Sequence, residues 1–387
     1  MTPTDIAEQD DQVELGFEDE DRGNEAPPAK PWDPSKVRVG TKAFSLRQIV
    51  DEIQDGTIDL APDFQRDYVW KDRQKTLLIE SILLGIPLPA FYFSAAHDGS
   101  HQVVDGVQRL STVRDFAAGA FDLSEDLEYL RDLAGKRFGQ LDALLKRRFQ
   151  QTQIVVHVIE ASSPADLKYD IFKRINTGGS PLMPQEIRHC MSRARSRDLL
   201  QRLATLPAFL SAVQLRSTQR MEDRELVLRF VAFLRLYRTD PALTPYSKYE
   251  TLDSFLLAAT EELDDPSQVS DTELQELETL LQQAMQRAAN VFGDHAFRKW
   301  PAGDDKRRPL NRPLFECWTV ILALAGPITS EQSVAIRDAA RTAMTTDDRY
   351  QRSITGGTGK PEQVKARFHA TRDIVDKVLR VASGGSR

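Results

Sequence analysis

Cysteine is nearly absent. Cys190 and Cys317 are the only two in 387 residues, too few for a disulfide framework and far from any zinc-ligand spacing. No apolar run approaches the roughly 18 residues of a membrane span, and the acidic N-terminus lacks the basic-then-apolar pattern of a secretory signal. A cytoplasmic protein with buried thiols and no membrane partner is therefore expected. The six histidines are scattered, and the pair four residues apart, His97 and His101, spans the turn residues Asp98, Gly99 and Ser100 rather than a helix. That excludes a histidine-built zinc centre, and no nucleophile elbow stands anywhere in the chain. His157, inside an apolar run, reads as a core histidine. Ser353 to Lys360 imitates a phosphate-binding Walker loop, but Ile354 and Pro361 stand where that motif needs glycine and Ser/Thr. What remains there is a Gly/Thr loop with Lys360 available to a phosphate.

Charge is unevenly distributed. The formal total is −7, yet residues 1–35 alone carry −9, leaving about +2 for the rest. Few apolar residues and many acids predict a disordered acidic tail over residues 1–36. Such a leader has two roles open to it, solubilising the chain or shielding a basic groove from polyanions. At 41% hydrophobic residues, the remainder can build ordinary cores. Periodicity predicts an α+β domain over 37–190 and an α-helical domain over 191–387. In the first, Ser45 with Gln48 suits the start of a helix over Leu46–Ile53, and Asp72 suits a cap for a second helix ending at Gly85. Pro87 and Pro89 force an extended entry to a strand at Phe91–Phe93. Ile154–Ile159 alternates too little to be exposed on one face, which predicts a fully buried strand.

The most informative stretch is Asp105 to Arg109. The run Gln102–Val104 enters an Asp-Gly turn and then an apolar-periodic helix. Gly106 permits close backbone approach, the new helix offers free N–H groups, and Arg109 adds a fork-shaped cation, which together suit a phosphate. The alternative is a plain capping box of Asp105 and Gln108. Three further polar segments flank apolar elements. Gln65 and Arg66 sit between Phe64 and Tyr68, either projecting from a half-buried segment or lying in an exposed loop. Asn176, Thr177, Gly178 and Gly179 supply amides that can wrap an anion, or simply end a helix. Glu186, beside Gln185 and near Arg188, could hold a metal or favour the N-terminus of a helix starting at Pro184.

Taken in order, these segments resemble the N-terminal domain of GmrSD-type restriction endonucleases. The resemblance rests on Pro62 to Arg66 with Trp70, Gly85 to Pro89, the DGQQR-type motif Asp105 to Leu110, and Phe172 to Leu182. It implies a ParB/sulfiredoxin-like fold for the first domain. It further implies a restriction or anti-phage defence protein that binds, and in several members hydrolyses, a nucleoside triphosphate with Mg²⁺, often coupled to cleavage of DNA. Carried onto this sequence, Gln65 and Arg66 would line the pocket. Asp105, Gln108 and Arg109 would be catalytic and form its phosphate and metal side, with Gly106 at the turn. Asn176, Thr177, Gly178 and Gly179 would lie opposite. Asp105 would hold Mg²⁺ or orient an arginine, Arg66 and Arg109 would meet phosphate charge, and Gln108 a water.

The sequence departs from the family at Val107, where members carry glutamine, and at Phe64, where many carry tyrosine. The histidine-rich nuclease domain of restriction members has no counterpart here, so the chain resembles a stand-alone member. Cleavage would then require a partner such as an operon-encoded nuclease. Two other readings remain: a non-catalytic ParB-like nucleotide switch or DNA-binding module, and a metal-dependent DNA nickase.

Overall fold

A computed structural model describes residues 16–20, 38–60, 70–96, 98–175, 182–215 and 219–384. These fall into two units, one of residues 38–197 with 219–222, the other of 16–20, 198–215 and 223–384. The first is mixed α and β, and the second is helical, as the periodicity predicts.

The first unit is built on a five-stranded sheet of order β1-β5-β3-β4-β2. Its strands are β1 (Val39–Ser45), β2 (Ile58–Asp59), β3 (Phe91–Ala95), β4 (His101–Asp105) and β5 (Gln153–Ile159). The chain enters on β1, a strand the sequence leaves unsignalled because Gly40, Thr41 and Lys42 interrupt its apolar residues. It exists through pairing: β1 runs antiparallel to β5, with Phe44 opposite Ile154. β3 then pairs parallel with β5 and antiparallel with β4, and β2 pairs parallel with β4.

Among the described residues, six α-helices accompany the sheet: α1 (Leu46–Gln54), α2 (Asp72–Leu84), α3 (Val107–Ala117), α4 (Ala143–Gln151), α5 (Ala165–Ile175) and α6 (Pro184–Met191). Leu46 and Ile49, Ile79 and Ile82, Leu110 and Phe116, and Phe149 come from the first four and share one core with Phe91, Phe93 and Val156. Ser45 caps α1, its hydroxyl accepting from Gln48 N–H at 3.2 Å. Asp72 is the first residue of α2 rather than its cap, placing a carboxylate on the positive end of the helix dipole. β5 departs from its predicted full burial. Ile154 and Val156 are buried, but Val155 is 46% exposed. Its β-branched residues serve strand propensity on the open face as much as packing on the closed one. His157 is half-buried on that open side, bonded to Thr41 Oγ1 at 3.0 Å, rather than a core histidine.

Glu80 is the one acid buried within α2. Its carboxylate accepts backbone N–H bonds from Glu128, Tyr129 and Leu130 at 3.1, 2.7 and 2.7 Å, tying the loop after α3 to α2. Burial pushes this carboxyl up, but the three backbone donors and Arg131 outweigh it and hold it below its ordinary value of 4.5. A depressed carboxylate stabilises the fold above 4.5 and loses that contribution as pH falls through its folded value. Glu80→Gln is therefore expected to destabilise by about 1–3 kcal/mol at pH 7. In thermal melts the gap between wild type and variant should shrink toward pH 3; a gap that widens in acid contradicts the assignment.

The second unit contains α8 (Pro207–Val213), α9 (Glu222–Thr239), α10 (Leu252–Leu263), α11 (Asp271–Phe292), α12 (Arg312–Leu324), α13 (Ser330–Thr346), α14 (Asp348–Ser353) and α15 (Pro361–Gly384). Helix α7 (Ala194–Ala204) contributes Leu199, Leu200 and Leu203 to its core. α11 shows an amphipathic stripe, Leu274, Leu277, Leu281, Ala284, Ala288 and Val291, at helical spacing. α12 is buried continuously from Pro313 to Ala323 and forms the centre of this unit. No helix among the described residues is long and apolar enough to cross a membrane.

Candidate functional site

The turn from β4 into α3 is built around one glycine. Gly106 has φ +100° and is buried, and a Cβ there would lie 2.2 Å from Cδ1 of Phe91. Neither the backbone angle nor the space admits another residue. Because Gly106 is also the N-cap of α3, that helix starts with no side-chain cap. The capping-box alternative for Asp105 and Gln108 is not what forms. Asp105 turns its carboxylate onto Arg109, Oδ2 accepting from a guanidinium nitrogen at 2.9 Å. Gln108 Oε1 instead accepts the backbone N–H of Trp70 at 3.3 Å. Among the described residues, no side chain caps the start of α3.

Arg109 is held from three sides. Beyond Asp105 it donates to the carbonyls of Pro89, at 2.6 Å, and Ala90, at 3.2 Å, while its guanidinium lies 4.1 Å from the ring centre of Phe91. Its side chain is 13% exposed against 36% for Asp105. Desolvation lowers the Arg109 pKa below the ordinary arginine value, and Asp105 offsets part of that. Such a guanidinium is a positioning group. It ties the Pro87–Pro89 entry, β3 and the β4–α3 turn into one rigid corner. It also supplies positive potential there, while several of its N–H bonds are already engaged. The half-open Asp105 carboxylate and the α3 amides are what the corner presents outward.

Gln65 and Arg66, and Asn176, Thr177, Gly178 and Gly179, lie outside the described residues. The described end of the first of these segments, Trp70, is brought to Gln108, and the second follows the last turn of α5. α6 packs against β4 and is buried along nearly its whole length, including Gln185, Glu186, Arg188 and His189. Glu186 has a structural assignment. It accepts the Met183 N–H at 2.6 Å and pairs with Arg220 at 3.0 Å, so its carboxylate closes the helix start and anchors a loop. Arg220 and Met221 hold left-handed backbones, φ 66° and 58°, rare for non-glycine residues. Arg188 donates to Gln185 Oε1 at 2.8 Å inside the same buried layer.

Sequence reasoning did not single out the carbonyls of Pro89 and Ala90, the ring of Phe91, or the Arg220 partner of Glu186. Pro-x-Pro before an apolar strand was the available signal for the first two, since it exposes carbonyls without competing N–H groups. Among the described residues no group of three or more His, Cys, Asp or Glu is gathered as a metal cluster. Both cysteines are buried free thiols, and burial pushes Cys317 up to about 12, out of the range of a reactive thiolate.

No curated protein matches the chain. The span from the first residue of α1 to the last of α6 carries the whole corner just described. Over residues 46–191 it is similar to the family whose model is described as GmrSD restriction endonuclease, N-terminal domain.

Proposed function

We propose that the protein is a nucleotide-binding member of a restriction or defence system that acts on or senses DNA. The β4–α3 corner is its phosphate site. One observation carries this reading: a helix N-terminus with no side-chain cap among the described residues stands beside a half-exposed carboxylate, on a corner braced by a largely buried arginine. Backbone N–H groups of α3 would take phosphate oxygens, and Asp105 would hold Mg²⁺ at the same place. Bound Mg²⁺ would neutralise phosphate charge. Arg109 would keep Asp105 and the turn in position, and Gln108 would hold Trp70 beside it.

A second reading, the nucleotide switch without hydrolysis, is favoured by Val107. It is 4% exposed and belongs to the apolar core, so the side chain at position 107 offers the site nothing polar. The partial engagement of Arg109 points the same way, since a guanidinium bound to two carbonyls is poorly free to follow charge in a transition state.

Calorimetric titration with each common nucleoside triphosphate and Mg²⁺, paired with phosphate-release assays with and without DNA, separates the two. Binding with release that Asp105→Asn removes supports a hydrolase. Binding without release supports the switch. Absence of binding by every nucleotide, with the protein folded, rejects both.

A further inference from the structure

The acidic leader does something specific in the helical unit. Residues 16–20, with their acids Glu18, Asp19 and Glu20, lie against that unit as an ordered segment. Glu18 N–H donates to the Leu310 carbonyl at 2.8 Å, and Leu310 N–H donates to that of Gly16 at 3.0 Å. The Phe17 ring lies 4.0 Å from the guanidinium of Arg312. Glu18 pairs with Lys299 at 2.8 Å and accepts from Asn311 Nδ2 at 2.9 Å. Glu20 goes deepest. Its two oxygens meet the two terminal nitrogens of Arg229 at 3.0 and 2.7 Å, a bidentate pair, and Thr358 Oγ1 donates to it at 3.1 Å.

The helical unit supplies partners to this cleft from its helices and from the loop between α14 and α15. Arg229 is completely buried and also meets Glu225 of α9 at 2.7 Å and Glu316 of α12 at 2.6 Å. Arg367 of α15 pairs with the other oxygen of Glu316 and donates to the Thr358 carbonyl at 2.7 Å. Arg312 approaches Glu225 at 3.8 Å. Three arginines thus face three glutamates, and one of those glutamates belongs to the leader. Without it the bidentate edge of Arg229 and the Thr358 hydroxyl lose the carboxylate they converge on. Those are the components of a receptor for a small tetrahedral anion. Thr358 lies in the Gly/Thr loop between α14 and α15, so that loop contributes to this cleft although its sequence fails as a Walker motif. With the segment in place, the void left beside it is about 10 Å³.

We propose that the Arg229–Thr358 cleft is a phosphate-binding site and that residues Gly16–Glu20 are its built-in, displaceable occupant. The segment is anchored by one half-buried aromatic and a row of polar contacts, which gives it little apolar area to hold it down. It wins the cleft by being tethered, at a high effective concentration. A phosphate group brings more charge than a carboxylate to the same guanidinium edge. Depth selects its form. Arg229 is 0% exposed and Glu20 only 6%, so a terminal phosphate fits where the flank of a duplex does not reach. This site and the β4–α3 corner stand on separate residues, and neither reading depends on the other.

The test uses full-length protein, wild type and Glu20→Ala, in thermal melts titrated with inorganic pyrophosphate against sodium chloride at matched ionic strength. Glu20→Ala should melt lower than wild type and be stabilised saturably by pyrophosphate. Its apparent affinity should exceed that of wild type by on the order of tenfold, since the tethered competitor is gone. Phe17→Ala changes no charge and should shift wild type in the same direction, which keeps the test open if Glu20→Ala folds poorly. Rescue of Glu20→Ala by an added Gly16–Glu20 peptide but not by pyrophosphate would overturn the proposal and leave the segment a structural strap. Saturable stabilisation by a short DNA duplex but not by pyrophosphate would overturn the assignment to a terminal phosphate.

Discussion

Arg109→Ala is expected to lose about 2–4 kcal/mol of folding stability, besides any effect on nucleotide binding. The guanidinium is nearly buried and serves one carboxylate, two carbonyls and one aromatic face. Truncation leaves the Pro89 and Ala90 carbonyls without their donor and Asp105 without its counter-ion. The upper end of the range for a broken buried pair is discounted because the Asp105 side chain is 36% exposed. Arg109→Lys should recover only part of the loss, since a single ammonium cannot span three acceptors with the fixed geometry of a planar fork. Urea denaturation of the three proteins reads this directly. An alanine variant with the wild-type midpoint would show that the corner does not depend on its arginine. The consequence for functional work is practical: loss of activity in Arg109→Ala would not separate chemistry from architecture, and Asp105→Asn is the cleaner probe.

A still larger effect is expected at Glu316. It is 0% exposed, and each of its oxygens holds a fully buried arginine, Arg229 on one side and Arg367 on the other. Removing a partner from a buried ion pair costs about 3–5 kcal/mol, and here two guanidinium groups lose one. Glu316→Ala should therefore leave the helical unit largely unfolded at 37 °C, with α12 at the centre of the damage. Glu225→Ala, at the rim of the same network with the Glu225 side chain 8% exposed, should be clearly milder. Circular dichroism melts of the two variants check the order. Equal and small losses would mean that the network is a consequence of the packing rather than a determinant of it.

Most of the first unit was legible because its elements carry local signals. Ser45, Gly85 and the Asp-Gly turn are punctuation with a mechanism, and the structure puts a helix start, a helix end and a strand-to-helix corner at those places. β1 was not legible, since its only determinant is the register it forms with β5, more than a hundred residues away in sequence. The open face of β5 was misread for a related reason: a β-branched run says strand, but burial on both faces depends on what packs there. In the helical unit, α11 announces itself by a clean stripe, whereas α13 and α15 mix alanine, threonine and charged residues along a weaker one. At the site, residue types could nominate Asp105, Gly106 and Arg109, but not say that the arginine faces inward. That outcome depends on the Pro89 and Ala90 carbonyls standing within its reach, a three-dimensional fact. The capture of Glu20 by Arg229 joins residues 209 positions apart in sequence, and no local pattern in an acidic leader distinguishes one glutamate from its neighbours.

The most direct test of the central claim is backbone hydrogen exchange of the full-length protein with and without nucleoside triphosphate and Mg²⁺. The phosphate site is assigned to the uncapped start of α3, so the amides of Val107, Gln108 and Arg109 should exchange more slowly when nucleotide is bound. Asp105→Asn should abolish that protection. Nucleotide-dependent protection confined to other segments, with the start of α3 unchanged, would contradict the account.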